Sequence, residues 1–161
     1  AAGLIQGLRK MNIIKIEDNK HYSSIGADIP VCLLGKNAII TGIGEQVKET
    51  SFPKYFFLLV KPNINLSTKE MYDKISKKIN SNTNNHYDDN INDFEEIATY
   101  ENQDIKKILM FLKNCEKAVF ARMSGSGSCC YAVFNKIDYA EKANKHLQQS
   151  FSKFWTFLAK N

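Results

Sequence analysis

Long apolar runs are missing from this chain. The longest, Tyr55-Phe56-Phe57-Leu58-Leu59-Val60, has the length of a strand, well short of the roughly 18 residues a membrane-crossing helix requires. No basic-apolar-small pattern of a secretory leader is visible near Ala1. Blocks of like charge are absent as well. The net charge is +5, but the lysines are scattered, with short pairs at Lys77-Lys78 and Lys106-Lys107 among Asp and Glu. That pattern reads as solvated helix faces rather than as a nucleic-acid tract. Cys32, Cys115, Cys129 and Cys130 show no C-x-x-C spacing and no nearby His, so neither a zinc site nor a redox pair is expected. Cys129 and Cys130 are neighbours in an apparent strand and point to opposite faces, so they cannot share a metal. A reduced, cytoplasmic protein is the expectation.

What is present is ordinary in bulk. Hydrophobic residues make up 43% and charged residues 24% of 161 residues, enough for one core or two small ones. The start reads as a helix, with Leu4, Leu8 and Met11 at helical spacing, Ile5 beside them and no capping residue ahead. A helix that begins without a cap suggests that sequence upstream has been removed. Ala38-Ile39-Ile40-Thr41 reads as a short strand before the turn Gly42-Ile43-Gly44-Glu45, and Tyr55 to Lys61 as the strongest strand. Ser67 or Thr68 would cap a helix through Met71, Tyr72, Ile75 and Ile79. Asn80 to Asn92, rich in Asn and Asp, reads as a loop. Asp93 would cap a short helix over 94–99. A longer amphipathic helix follows, with Ile105, Ile108, Leu109 and Leu112 on one face. The spacing then predicts a strand over 118–122, a Gly/Ser loop over 123–128, a strand over 129–134, a helix over 137–150 and a strand over 154–159.

From Tyr55 onward this order is that of a split βαβ, ferredoxin-like α+β unit with helices layered on an antiparallel sheet. The residues before it do not fit that unit. We therefore expect one domain over 51–161, and over 1–50 the remnant of a preceding domain.

Two segments carry candidate chemistry. In Ile25-Gly26-Ala27-Asp28-Ile29-Pro30, Gly26 permits unusual backbone shapes and Pro30 biases Ile29 toward an extended one. Asp28 is thus held at a bend, either as a cap or as an acid facing a substrate. No lysine or arginine is an evident partner for it by spacing. Met123-Ser124-Gly125-Ser126-Gly127-Ser128 is either a hairpin connection or an anion-binding loop whose N–H groups and hydroxyls converge on phosphate. It is neither a Walker loop nor a dinucleotide fingerprint, since the Gly-Lys-Ser/Thr and the third glycine are missing. Tyr22 and Tyr72 could stack on a base, although aromatics at helical spacing usually belong to a core. His21, His86 and His146 are isolated and read as structural or surface residues.

Taken in order, Ile25 to Val31, Gly42-Ile43-Gly44-Glu45, Leu66 to Tyr72, Asn92-Asp93-Phe94-Glu95 and Arg122 to Cys129 resemble the diphosphocytidyl-methylerythritol kinases of the GHMP kinase superfamily. The resemblance spans nearly the whole chain. It implies a two-domain kinase fold with its site in the cleft between domains. The implied reaction is transfer of the γ-phosphoryl group of ATP, with Mg²⁺, to the 2-hydroxyl of the cytidine-diphosphate substrate in non-mevalonate isoprenoid synthesis. By the same resemblance Asp28 matches the catalytic aspartate. Thr68 and Tyr72 match positions beside the cytidine-bearing substrate, and Ser124, Gly125, Ser126 and Gly127 match the loop near the phosphates. The lysine that pairs with the aspartate, the ATP loop and a cytosine-gripping aromatic would lie upstream, with Ala1-Ala2 resembling the tail of the ATP loop. On that reading the 1–50 segment is the end of the ATP-binding domain and this polypeptide alone is inactive. The resemblance further implies a monomer or weak homodimer, with no protein metal ligands and neither membrane nor nucleic acid as partner.

Two alternatives remain. A ferredoxin-like order with positive charge also describes an RNA-binding module, although neither Val119 to Arg122 nor Tyr131 to Phe134 has the glycine-aromatic strand pattern. An inactive kinase homologue kept for protein interaction is the other.

Overall fold

The protein, seen in a computed structural model, is described over residues 1–14, 19–81 and 92–161. These form two compact units, Ala1–Pro53 and Lys54–Asn161, each with its own core.

The first unit contains α1 (Ala2–Lys10), α2 (Asn19–Ile25), α3 (Ile29–Leu34), β1 (Ala38–Thr41) and β2 (Gln46–Glu49). Its core is Ile5, Tyr22 and Ile29. The apolar stripe expected along α1 is only partly used, because Ile5 is buried while Leu4 and Met11 are exposed. Tyr22 is core, and its hydroxyl accepts from Arg9 Nη2 at 3.2 Å. Ile29 is not extended as Pro30 suggested. It opens α3, with Pro30 in the first turn, where a missing N–H costs nothing because that N–H has no intrahelical acceptor. Gly35, at φ +62°, ends α3 with its N–H on Val31 O at 3.1 Å. β1 pairs with β2 antiparallel. Gln-Val-Lys-Glu has little strand preference of its own, so β2 forms through this pairing.

The second unit runs β3 (Phe56–Lys61), α4 (Thr68–Ser81), α5 (Asp93–Glu101), α6 (Gln103–Lys113), β4 (Ala118–Met123), β5 (Cys130–Phe134), α7 (Ile137–Ser150) and β6 (Trp155–Lys160). The described strands form a four-stranded sheet in the order β4-β5-β3-β6, all antiparallel, which is the expected ferredoxin-like topology. Alternation splits the sheet into two faces. Leu58, Val60, Ala132 and Met123 pack with Ile105, Ile108 and Leu112 of α6 and with Ala140, Ala143 and Leu147 of α7. Each buried Ile or Leu of α6 contributes roughly 2 kcal/mol by leaving water. The other face carries Phe57, Phe120, Tyr131, Trp155 and Phe157. There Phe120 meets Tyr131 edge-on at 6.0 Å and Trp155 stacks on Phe157 at 5.9 Å.

Helix starts follow side-chain caps. Ser67 Oγ accepts the Glu70 N–H at 3.4 Å, as expected for α4. At α5 the cap is Asn92, not Asp93. Asn92 Oδ1 accepts the Phe94 N–H at 3.0 Å, while Asp93 is the first helical residue, where its charge suits the helix dipole. Of the expected 80–92 loop, residues 80 and 81 end α4 and Asn92 caps α5; residues 82–91, His86 among them, lie outside the described residues. Among the described residues no helix is long and apolar enough to cross a membrane.

Candidate active site

In the first unit Asp28 occupies the N-cap position of α3 in a helical conformation (φ −83°, ψ −8°). Its backbone carbonyl accepts the Cys32 N–H at 3.1 Å, but its side chain makes no capping bond. The carboxylate is exposed and free of hydrogen bonds and ion pairs among the described residues. A cap in position only, it leaves both oxygens available to a ligand. The turn between β1 and β2 backs this junction. Gly44, at φ +95°, lies so near Ala27 that a Cβ there would strike the Ala27 carbonyl oxygen and Cα, so only glycine fits. Beside it, Glu45 Oε2 accepts the Ile43 N–H at 2.7 Å. Bonds from its own and Ile43's backbone hold that carboxyl below its usual range.

In the second unit the 123–128 segment does connect two paired strands, with Met123 opposite Cys130. It is also a shaped loop. Ser124 N–H donates to Cys129 O at 2.8 Å and Gly127 N–H to Ser124 O at 2.9 Å. Ser128 Oγ, buried, donates to Ile64 O at 2.7 Å. The Gly125 and Ser126 N–H groups have no acceptor among the described residues, and Gly125 is left-handed at φ +50°. Successive unpaired amides around such a residue form an anion-binding concavity.

The loop meets the start of α4. Thr68 Oγ1 and Ser126 Oγ are 2.9 Å apart, which brings the positive end of a helix beside the free loop amides. One turn on, Tyr72 stands on the same flank. It is 58% exposed and is held edge-on against Phe94 at 4.9 Å, whereas Met71 beside it is buried. The structure thus joins Thr68 to the Ser124–Gly127 loop through Ser126, and Tyr72, one turn along α4 and packed on Phe94, is a surface ring rather than core. Asp28 belongs to the other unit.

Two residues were not singled out as site residues. Asn92 donates through Nδ2 to Met123 O at 2.9 Å and to Gly125 O at 2.8 Å. Glu95 accepts the Met123 N–H at 2.8 Å and Lys113 Nζ at 2.7 Å. Their place in an Asn-Asp-Phe-Glu string was a signal, but nothing local shows that they reach 30 residues along the chain to the loop. The thiols are not part of this chemistry. Burial pushes Cys130 up to about 12 and Cys115 to about 11, and no described cysteine is in a disulfide. Among the described residues no group of three or more His, Cys, Asp or Glu converges as a metal site.

Comparison with known proteins bears on this arrangement. The family described as GHMP kinases C terminal matches residues 70–153, just over half of the chain. A protein of Anaplasma phagocytophilum (strain HZ) named 4-diphosphocytidyl-2-C-methyl-D-erythritol kinase is 31% identical over 171 residues, covering 98% of this chain and 58% of the relative. Proteins of the same name from Ehrlichia chaffeensis (strain ATCC CRL-10679 / Arkansas) and Clostridium tetani (strain Massachusetts / E88) are 32% and 31% identical. They cover 84% and 96% of this chain, and it spans 54% and 62% of them. The crystal structure of a 4-(cytidine 5'-diphospho)-2C-methyl-D-erythritol kinase superposes with a TM-score of 0.71 at 20% identity, over 98% of this chain and 62% of that one. This last likeness concerns the fold. The chain spans a little over half the length of the relatives it matches.

Proposed function

Because the chain belongs to the GHMP kinase family, we propose that it carries part of the site of a small-molecule kinase that phosphorylates the 2-hydroxyl of 4-diphosphocytidyl-2-C-methyl-D-erythritol with ATP. The names of its relatives support that substrate. The observation that carries the reading is the start of α4, where Thr68 meets a loop with two free amides, and an exposed aromatic ring, Tyr72, follows one turn on.

Each residue has a physical task in this reading. The Gly125 and Ser126 amides and the helix end at Thr68 bind phosphate oxygens and hold the diphosphate still. Tyr72, rigid against Phe94, offers a ring edge or face to cytosine at small entropic cost. Asp28 orients the substrate hydroxyl and accepts its proton as the oxygen attacks the γ-phosphorus and the bond to ADP breaks. Its free carboxylate suits that role, since a carboxylate engaged in capping would be a poorer base. Phosphoryl transfer depends chiefly on positioning and on charge stabilisation. A Mg²⁺ accompanying ATP would take most of its ligands from phosphate and water, which the single exposed carboxylate of Asp28 would suit.

The test uses the complete polypeptide encoded by the reading frame that contains this chain, assayed with ATP and the cytidine-diphosphate substrate. Asp28→Asn is expected to lower kcat by about 10²–10⁴ while KM changes little. Failure of the unaltered protein to phosphorylate this substrate sinks the reading, and an Asp28→Asn variant of near-normal kcat removes Asp28 from the chemistry.

A further inference from the structure

We infer that Asn92, assisted by Glu95, is the positioning residue that sets the shape of the phosphate-facing loop. The inference rests on the kinase reading for its effect on turnover, but its structural half stands independently.

The geometry assigns every polar atom of the Asn92 amide. Both N–H groups of Nδ2 are used, one on Met123 O at 2.9 Å and one on Gly125 O at 2.8 Å. Oδ1 caps α5 by accepting the Phe94 N–H at 3.0 Å. One planar group therefore ties the end of β4, the tip of the loop and the start of a helix together. Glu95, one turn later, completes the grip. Its side chain is only 18% exposed, and it holds the Met123 N–H with one oxygen and Lys113 of α6 with the other. Met123 is thus gripped through its carbonyl by Asn92 and through its N–H by Glu95, just ahead of the loop.

Engaging the Gly125 carbonyl fixes the peptide plane between Gly125 and Ser126. The amide of that plane is the Ser126 N–H, one of the two donors left free. Rotation of this plane would turn the donor away and present a carbonyl oxygen to an anion instead. Asn92 therefore decides the sign of the dipole the loop shows its ligand, without touching the ligand. Thr68 restrains the Ser126 side chain but has no hold on this plane.

The capping and loop-holding tasks of Asn92 can be separated. Asn92→Asp keeps an oxygen for the Phe94 N–H, and Asp caps as well as Asn. It has no N–H to give, and its carboxylate would face two carbonyl oxygens. Expected for Asn92→Asp in the complete polypeptide is a kcat about ten- to a hundredfold lower, the scale for a displaced catalytic group, together with a raised KM for the cytidine substrate, because the loop loses a donor to the diphosphate. In this chain, amide exchange by NMR should be at least tenfold faster at Gly127 and Ser124, whose N–H groups close the loop, while α6 amides stay unchanged. Should Asn92→Asp fail to fold, Asn92→Ser keeps the cap and removes the amide donors, and is read the same way. Loop exchange and kcat within twofold of the unaltered protein would overturn the inference, as would faster exchange spread equally through α6. If the unaltered polypeptide proves inactive on this substrate, the kinase reading falls, and the exchange comparison still decides the role of Asn92.

Discussion

Gly125 and Gly127 sit two residues apart in one loop, both with positive φ, and the same substitution should cost very different amounts at the two. At Gly125 (φ +50°) a Cβ would meet nothing within 4 Å. Gly125→Ala therefore carries only the left-handed penalty, about 1–2 kcal/mol, reduced by about 0.4–1 kcal/mol because alanine restricts the unfolded chain. The net loss is about 1 kcal/mol. At Gly127 (φ +92°) the new Cβ would lie 2.7 Å from Met123 Sδ and 2.9 Å from Leu66 Cδ1. Met123 is 1% exposed and part of the core under the sheet, so its sulfur cannot swing into water. Forcing it aside is overpacking, about 1–3 kcal/mol, added to the backbone penalty. Gly127→Ala should thus lose about 3 kcal/mol, about 2 kcal/mol more than Gly125→Ala. Trp155 is the single tryptophan and lies in β6 of this unit, so its fluorescence in urea melts of the whole chain reads the unfolding of the right unit. Equal losses for the two variants, or a larger one at Gly125, would refute the reasoning.

Alkaline pH should weaken the second unit through one buried and one half-buried thiol. Cys115 and Cys130 titrate near 11 and 12 in the folded chain against 9.0 for a free thiol. Above pH 9 the unfolded chain releases these protons and the folded chain retains them. Stability is therefore full below pH 9 and falls as pH rises toward 12, at up to about 1.4 kcal/mol per pH unit per thiol. Cys130→Ala should flatten that decline in Trp155-monitored melts, and identical slopes would contradict the assignment. In the first unit, Gly44→Ala drives a Cβ into the Ala27 backbone, which cannot yield as a side-chain tip can. Both the stability of that unit and any activity that depends on Asp28 should drop, and an unchanged melt by far-UV circular dichroism would show that the junction is looser than the geometry states.

Much of the second unit was legible because its signals are local and periodic. Ile105, Ile108, Leu109 and Leu112 mark one helical stripe, and all are buried. The strand and helix order from Tyr55 fixes a split βαβ. Two of the failures share one cause, namely that local preference was overruled by a partner elsewhere, and the third is local. Gln46–Glu49 is a strand because β1 lies beside it. Asn92 caps α5 in place of Asp93 because its amide is also engaged by the distant loop. Ile29 is helical because a proline in a first turn extends nothing. Of the candidate site, the residue types in the Gly/Ser loop left a hairpin connection and an anion-binding loop both open, and Thr68 and Tyr72 came from the resemblance. The contact of Thr68 with Ser126 is a long-range one that no spacing along the chain could reveal.

The topology of the sheet also governs how this unit must be made. β3 is the inner strand that pairs with both β5 and β6, yet both partners are synthesised long after it. A ribosome that has released Phe56 to Lys61 has some seventy residues still to add before β5, and about ninety-five before β6. Throughout that interval an apolar ribbon with two open edges has nothing to pair with, and such edges recruit other chains. Slow translation, or a shortage of chaperones that shield extended apolar segments, should therefore reduce yield before the sheet of this unit can close. For this fold the vulnerable moment lies on the ribosome, in the wait of one strand for its neighbours.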